Sequence, residues 1–425
     1  MGSLLRLSEL GILGAALALA SFGAEKGELR VGAARIDITP AEDAALPLSG
    51  YADRKQGFLG IHDRIYTRAV VLSDGTHQAA LIACELISIP NALWEEVSKR
   101  IQQETGIPPE NMLLSAVHTH GAPSLRGGYT AVGPESEAYT ARVEDAVIEA
   151  VRQAKANLQP ARVGVGEGRA YVNINRRELT PDRGWWLGVN PDGPSDKTVA
   201  VVKFESLSGQ LIALFINYGV HGTVMGQENL QLTGDLPGAT SRFVEQRFQD
   251  KLVALWTSGA AGDQNPVSRA SGSDFTLVGA LGQILGEEAV RVAARIKTYP
   301  QARLWTAQHV ITCPGRTVTP GPRPRKEYTF IDSDPVSIRL SLLMLNDIAF
   351  AGVSGEVLTM IGRRLKRESP FSQTIMVTHT NGSSGYIPDD AAFDQVSYEI
   401  TTSHLKPGCA ENAIVNSFVE MMKQY

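Results

Sequence analysis

The chain has 425 residues, of which 43% are hydrophobic and 20% are charged, so it can bury a large core as one big α/β domain or two closely packed ones. This composition excludes the disordered and fibrous classes of protein. The formal net charge of −5 lacks the concentrated excess of lysine and arginine that nucleic-acid-binding proteins display, so nucleic acid is not expected as a partner.

Residues 1–24 have the pattern of a secretory signal peptide, with one positive charge, the apolar run LGILGAALALA and small residues near the end. Glu9 lies just before the apolar run, which is unusual in a signal peptide, so an uncleaved N-terminal anchor remains the alternative. We therefore expect an exported protein, either secreted or periplasmic.

The chain contains three cysteines, Cys84, Cys313 and Cys409. Because their number is odd, we expect that stability does not require a disulfide framework. Because their spacing is wide, we do not expect a zinc knuckle either. Cys84 lies within the apolar run ALIACELISI, and we interpret it as a buried thiol.

The first predicted unit along the chain is a β-α-β unit. Residues 78–89 are continuously apolar, which is typical of a strand covered on both faces. Residues 91–105 place their apolar side chains on one helical face, and the apolar run 112–117 follows. The short helical crossover predicts that the two strands are parallel, with ligand chemistry at their carboxyl ends.

The alternation of strands and helices continues, and it predicts an α/β fold with a large mixed β-sheet core flanked by helices. The further predicted helices are 139–157, 236–249, 276–297 and 410–423. The further predicted strands are 161–167, 198–204, 211–218, 252–257, 302–312, 337–345, 347–353 and 373–378. The run 314–328 is rich in proline, glycine and basic residues, and this composition predicts an exposed loop.

Two histidines follow the second strand of the β-α-β unit directly. His118 and His120 lie in the string VHTHG, and residues two apart in an extended backbone project to the same side. They are either two metal ligands or one ligand and one proton carrier. Taken alone, the pair is equally typical of ordinary buried or surface histidines.

Three more predicted strands end in polar side chains. One ends at His221, a second runs into Glu356, which could also simply cap a helix, and the last leads to a loop with His379 and Tyr386. Strand carboxyl ends meet at one edge of such a sheet. Two histidines, a carboxylate and a tyrosine or third histidine suit zinc, whose Lewis acidity favours amide or ester hydrolysis.

Other catalytic motifs are absent from the sequence. It contains no H-E-x-x-H string, no G-x-S-x-G elbow and no G-K-[ST] phosphate loop. We therefore expect no cofactor beyond the metal ion.

Taken together and in order, these strings resemble the catalytic domain of the neutral/alkaline ceramidases. The match covers roughly residues 28–423 and includes the strings SGYADR, VHTHG, NINRR, NYGVHG, TGDLPG, GDQNP, SGE and NGSSGYIP. The resemblance implies that residues 28–425 form one zinc amidase domain that cleaves the N-acyl bond of ceramide, or of another lipid or N-acyl amide. It also leaves room for peripheral contact with a membrane.

The resemblance further implies the roles of seven residues. The zinc ligands it implies are His118, His221, Glu356 and Tyr386, and the pocket residues are His120, Arg176 and Tyr398. We expect His120 to move protons, and Tyr398 or Arg176 to stabilise the developing oxyanion. The alternatives are that Arg176 is a salt-bridged loop residue and that Tyr398 is a buried packing tyrosine. Asp235 and Asp263 either orient the ligands or are turn residues.

Two features depart from the family pattern. The family string G-D-x-S-P is GDQNP here, so Asn265 stands in place of a hydroxyl residue, and we expect it to contact the substrate. We also expect no C-terminal immunoglobulin-like domain of the kind that the classical enzymes add. A zinc hydrolase for another N-acyl or ester substrate therefore remains an alternative, as does a catalytically silent lipid- or glycan-binding protein.

Overall fold

An eight-stranded mixed sheet forms the centre of the protein in a computed structural model. The structure describes residues 26–128, 133–182, 184–319, 321–325 and 327–425, so the predicted signal peptide lies outside the described residues. None of the helices in these ranges combines the length and the apolar character needed to cross a bilayer.

The helices are α1 Asn91–Thr105, α2 Gly133–Ala156, α3 Asp235–Arg247, α4 Thr276–Ala293, α5 Thr359–Glu368, α6 Tyr398–Thr402 and α7 Ala410–Lys423. The strands are β1 Gly27–Glu28, β2 Arg30–Asp37, β3 Gly60–Ile61, β4 Tyr66–Ser73, β5 Gln78–Cys84, β6 Met112–Ala116, β7 Gln159–Arg169, β8 Asn173–Thr180, β9 Gly184–Asn190, β10 Thr198–Ser206, β11 Leu211–Tyr218, β12 Gln231–Leu232, β13 Val253–Ser258, β14 Gln264–Pro266, β15 Gln301–Ala302, β16 Leu304–Thr319, β17 Thr329–Leu345, β18 Ile348–Val353, β19 Glu356–Val357, β20 Gln373–Val377 and β21 Tyr386–Ile387.

The central sheet has the strand order β13-β11-β10-β7-β2-β4-β5-β6. Its β5–β6 and β11–β13 pairs are parallel and its other pairs are antiparallel. The parallel β5–β6 pair with α1 as crossover confirms the predicted β-α-β unit. A large mixed sheet flanked by helices is therefore the observed architecture, as predicted.

The core is layered, and alternate residues of one strand face different layers. Ala69 and Val71 of β4 pack with α1 and α2, whereas Val70 and Leu72 belong to the apolar layer shared with α3, α4 and a second sheet. That second sheet has the order β16-β17-β18-β20, and α5 and α7 cover its other face. Burial on both faces explains why the central strands are apolar without alternation.

The prediction of a loop at 314–328 is wrong in its first part. Strand β16 continues to Thr319 and β17 already begins at Thr329. The two strands pair along this extension, for example Arg316 with Asp332, and form a long antiparallel hairpin. The local composition misled the prediction because the cross-strand hydrogen bonds of the ribbon do not depend on an apolar pattern.

One disulfide joins Cys313 on β16 to Cys409, the residue before α7. The sequence did not indicate this bond, because the two cysteines are separated by 96 residues. Cys84 is buried and free, which confirms the prediction of a buried thiol.

Candidate metal centre

The loops that follow β6 and β11 meet at one end of the fold. The central sheet curves so that its edges approach each other, with the Ser258 hydroxyl donating to the Val117 carbonyl at 2.9 Å. Backbone hydrogen bonds then join the loops, from His120 N to Gly222 O at 3.0 Å and from Gly222 N to His118 O at 3.2 Å. A Cβ atom at position 222 would lie 2.9 Å from His118 O, so this approach requires glycine.

Three side chains converge where these loops meet strand β19. The Nε2 atoms of His118 and His221 each lie 3.3 Å from Glu356 Oε2. All three atoms are buried, and none has a hydrogen-bond partner among the described residues. Two ligand atoms of one tetrahedral zinc ion, with bonds of about 2.0–2.2 Å, lie about 3.4 Å apart. The donor set therefore fits zinc.

The second ring nitrogen of each histidine fixes its tautomer. His118 Nδ1 lies 2.7 Å from the carbonyl oxygen of Ile87, and His221 Nδ1 lies 2.8 Å from that of Ala261. Because a carbonyl oxygen only accepts hydrogen bonds, each Nδ1 carries the proton and each Nε2 presents a lone pair. Metal-binding histidines usually have such a second hydrogen bond.

Asp235 and Asp263 bind backbone amides rather than the imidazoles. Asp235 accepts hydrogen bonds from Val224 N at 3.0 Å and Met225 N at 2.9 Å. Asp263 accepts bonds from the amide of Thr359 at 3.1 Å and from its hydroxyl at 2.6 Å. The two carboxylates thus fix the loop after His221 and the start of α5. Their interpretation as turn residues therefore describes them better than a role in orienting the imidazoles.

Burial and neighbouring groups set the charges in the site. Burial alone would raise the pKa of Glu356, but the neighbouring imidazoles of His118 and His221 hold this pKa well below its usual value. Burial lowers the pKa of His221 to about 3, helped by the nearby positive charge of Arg176. An ionised carboxylate and a neutral imidazole are the forms that bind a metal ion.

Tyr386 enters the site beside Glu356, because β19 and β21 pair in parallel with these two residues in register. Its hydroxyl accepts a hydrogen bond from Arg176 Nη2 at 2.9 Å. Arg176 lies buried on β8, where Nε donates to Glu399 Oε1 at 2.6 Å and Nη1 donates to Asn265 Oδ1 at 3.4 Å. Arg176 is therefore salt-bridged, as the alternative interpretation held, but it lies on a strand and not in a loop.

Tyr398 lies half-buried next to this network. Its ring meets Tyr386 edge to face at 5.8 Å and Trp186 of β9 in the same way at 5.8 Å. The guanidinium of Arg176 lies 5.9 Å from the centre of the Tyr398 ring. The tyrosine thus links the buried site to a partly exposed tryptophan.

His120 flanks His118 and His221, and one of its ring nitrogens lies within 4.8 Å of a ring nitrogen of each. Both ring nitrogens are buried and have no hydrogen-bond partner among the described residues. Tyr51 contacts the imidazole at 4.9 Å, and Arg54 donates a hydrogen bond to the His120 carbonyl. Gly50 has φ of 92°, and a Cβ atom there would overlap the imidazole. The string SGYADR therefore shapes the wall that holds this histidine.

The structure brings all eight residues singled out from the sequence to this end of the fold: His118, His120, Arg176, His221, Asn265, Glu356, Tyr386 and Tyr398. The sequence had offered a tyrosine or a third histidine, and His379 is also present, stacked on the His118 ring at 4.1 Å. Glu399 and Arg54 were missed. No local pattern marks them, because their partners are distant in the chain.

Fold and donor set together define an α/β protein with a candidate metal centre at one end of a mixed sheet. The family model of the neutral/alkaline non-lysosomal ceramidase N-terminal domain matches residues 29–275, more than half of the chain. The chain belongs to the neutral/alkaline non-lysosomal ceramidase family.

Curated relatives and solved structures agree with this assignment. Neutral ceramidase of Drosophila pseudoobscura pseudoobscura is 28% identical over 272 residues, which cover 57% of this chain and 37% of that protein. Neutral ceramidase of Pseudomonas aeruginosa is 29% identical over 254 residues, 56% of this chain and 37% of that protein. The alignments thus span well under half of these relatives. A structure of a ceramidase complexed with C2 matches with a TM-score of 0.80 at 19% identity, covering 93% of this chain and 75% of that chain, and it shares the fold.

Proposed function

We propose that the protein is a zinc-dependent hydrolase that cleaves an N-acyl amide bond, as in the conversion of ceramide to sphingosine and fatty acid. The observation that carries the proposal is the convergence of three buried donor atoms from His118, His221 and Glu356 that have no hydrogen-bond partner in the part of the chain that the structure describes. Leaving such atoms unpaired in a protein interior is costly, and functional sites are where this cost is tolerated.

The residues proposed to hold the ion are His118, His221, Glu356 and Tyr386. Two neutral imidazoles and a hard carboxylate are typical zinc ligands, and catalytic sites with three such ligands keep a position for water or substrate. The phenol of Tyr386 would be a fourth protein ligand in addition to these three. When bound, zinc supplies Lewis acidity, which polarises an amide carbonyl and acidifies water.

His120 is the proposed proton carrier. Burial, with the neighbouring His118 and His221, lowers its pKa well below the usual value, so its imidazole is neutral at physiological pH. A neutral imidazole can accept the proton of the attacking water at a ring nitrogen and deliver it to the leaving nitrogen as the C–N bond breaks. Both of its ring nitrogens lack another partner among the described residues.

Tyr398 is the better placed of the two candidates for stabilising the oxyanion. The donors of Arg176 already bind Glu399, Asn265 and Tyr386, whereas Tyr398 lies half-buried beside them. A preorganised donor at the position where negative charge develops lowers the barrier to acyl transfer. Asn265 offers its side-chain amide as a substrate contact, because its carbonyl oxygen is turned towards Arg176.

A lipid amide is the proposed substrate class. Relatives in the family are neutral ceramidases, and one solved relative is a ceramidase complexed with C2. Export to a secreted or periplasmic location is proposed as well. The Cys313–Cys409 disulfide supports it, since disulfides persist mainly in oxidising compartments.

Turnover of a short-chain fluorescent N-acyl sphingosine tests the proposal. We expect hydrolysis that a chelator abolishes and added zinc restores, and that is lost in the His118→Ala variant. Full turnover in this variant would contradict a catalytic metal. Turnover restricted to other N-acyl amines or esters in a parallel panel would shift the substrate class. A zinc-loaded protein that hydrolyses none of them would favour the binding-protein alternative.

A further inference from the structure

Glu399 is a fully buried carboxylate at the second residue of α6. Its Oε1 atom accepts a hydrogen bond from Arg176 Nε at 2.6 Å, and its Oε2 atom accepts one from the Ser397 hydroxyl at 2.6 Å. Both carboxylate oxygens are therefore engaged, and neither is directed at a metal ligand. A buried carboxylate of this kind needs a cationic partner, and Arg176 supplies it.

The bond to Glu399 determines where the rest of the Arg176 side chain lies. A guanidinium is planar and carries its donors in a fixed fork, so holding Nε in place also fixes the directions of the two terminal nitrogens. One of these nitrogens donates to the Tyr386 hydroxyl at 2.9 Å and the other to Asn265. Glu399 thus acts on the phenol oxygen through one rigid group.

Docking of the surrounding segment depends on a different arginine. Arg177 donates from Nε to the Ser397 hydroxyl at 3.0 Å, and from Nη2 to the carbonyl oxygens of Ala392 and Gln395, both at 2.8 Å. The two bonds to Ala392 and Gln395 hold this segment against β8 without Glu399, although Arg177 Nε also lies 3.8 Å from Glu399 Oε2. Removal of the Glu399 charge should therefore disturb Arg176 more than it disturbs the position of the segment.

We infer that Glu399 is a positioning residue: by holding Arg176, it sets the position of the Tyr386 hydroxyl beside Glu356 in the metal centre. The inference rests on the proposed function, in which Tyr386 is a metal ligand. Because Arg176 and Ser397 engage both of its carboxylate oxygens, Glu399 is assigned no direct role as a metal ligand or a substrate contact. Groups that orient metal ligands in this way typically matter about 10–100-fold in metal affinity or activity.

The first test compares Glu399→Gln with a matched control, Glu245→Gln. Glu245 is also fully buried and accepts a bond from an arginine Nε, that of Arg68 at 2.8 Å, but it lies on α3. Zinc affinity is measured by chelator competition, and kcat and KM are measured separately. We expect Glu399→Gln to lose roughly 10–100-fold in zinc affinity and to lower kcat more than it raises KM. Glu245→Gln should keep wild-type zinc affinity even if it melts earlier.

A double-mutant cycle tests whether Glu399 acts through the phenol. In a Tyr386→Phe background there is no hydroxyl to position, so Glu399→Gln should change zinc affinity by no more than about twofold. Independent, multiplicative losses in the double variant would refute the inference. Should Glu399→Gln fail to fold, Arg176→Lys replaces it in the cycle, because lysine keeps the charge but lacks the fork that reaches Tyr386.

The outcomes separate this inference from the function on which it rests. Wild-type protein that binds no zinc would overturn both. Wild-type protein that binds zinc and hydrolyses the substrate, with Glu399→Gln and Glu245→Gln indistinguishable in zinc affinity, would overturn the positioning role alone.

Discussion

Zinc binding should raise the melting temperature of the protein, and loss of one ligand should remove most of that rise. The three donor atoms of His118, His221 and Glu356 are buried and have no partner within the described ranges of the chain, so the ion is expected to bind the folded chain far better than the unfolded one. At zinc a thousandfold above its Kd, this preference stabilises the fold by about 4.1 kcal/mol. An unfolding entropy of about 2.1 cal/mol/K per residue, or about 0.9 kcal/mol/K for 425 residues, converts this into about 4–5 °C.

The variant that tests this reasoning is His221→Ala. If it weakens zinc binding about a thousandfold, the remaining stabilisation is about 0.4 kcal/mol, and the shift falls below about 1 °C. His77→Ala is the control, because His77 is exposed and interacts with Asp74 instead. Scanning calorimetry of the metal-stripped proteins, with and without zinc, gives the shifts. A wild-type protein whose melting temperature ignores zinc, or a His221→Ala variant that keeps the full shift, would refute the assignment of these atoms as ligands.

Three further predictions follow from the geometry around the site and the core. Gly50→Ala should lower kcat at least tenfold with little change in zinc affinity, because its Cβ atom would displace the imidazole of His120, the proposed proton carrier. Gly75→Ala is the control, since Gly75 also has a positive φ but a Cβ atom there would meet nothing within 4 Å. Equal kcat values in the two variants would contradict the steric argument. Cys409→Ser, which opens a disulfide between residues 96 positions apart, should lower the free energy of unfolding by up to about 4–5 kcal/mol in urea titrations, and an unchanged midpoint would argue against the bond. Burial raises the folded-state pKa of Asp235 from 3.8 to about 6, so its stabilising contribution is full below pH 3.8 and is lost as the pH rises through 6. The free energy of unfolding of wild type relative to Asp235→Asn should therefore fall by at most about 3 kcal/mol between pH 4 and pH 7, and a difference that grows over this range would show that the sign is wrong.

The sequence predicted the central elements well where local signals and burial agree. The helix predicted at 91–105 is observed as Asn91–Thr105, because Pro90 precedes it and Gly106 follows it in the left-handed conformation. The strand predicted at 211–218 is observed as Leu211–Tyr218, since an apolar run bounded by turn residues has few other solutions. The hairpin extension at 314–319 was missed because its pairing partner, not its own pattern, makes it a strand.

The residues of the candidate site also differ in whether the local sequence indicates them or only contacts with distant parts of the chain do. His118, His221 and Glu356 could be selected because each follows an apolar strand. Their convergence could not be derived from strand order, because β6 and β11 lie near opposite edges of the central sheet and β18 belongs to the second sheet. Glu399 could not be selected from the sequence, because its partner Arg176 is 223 residues away in the chain. A glutamate at the start of a short helix is also an ordinary sequence feature.

This difference between positions set by strands and positions set by side-chain contacts also predicts which parts of the site tolerate substitutions. A ligand that follows a strand inherits its position from the sheet, so a conservative change nearby should shift it little. The Tyr386 hydroxyl instead depends on a chain of side-chain bonds through Arg176 to Glu399, each of which can fail by itself. Substitutions along that chain should therefore change metal affinity before they change the fold, whereas substitutions in the apolar layers around β4 should change the fold first.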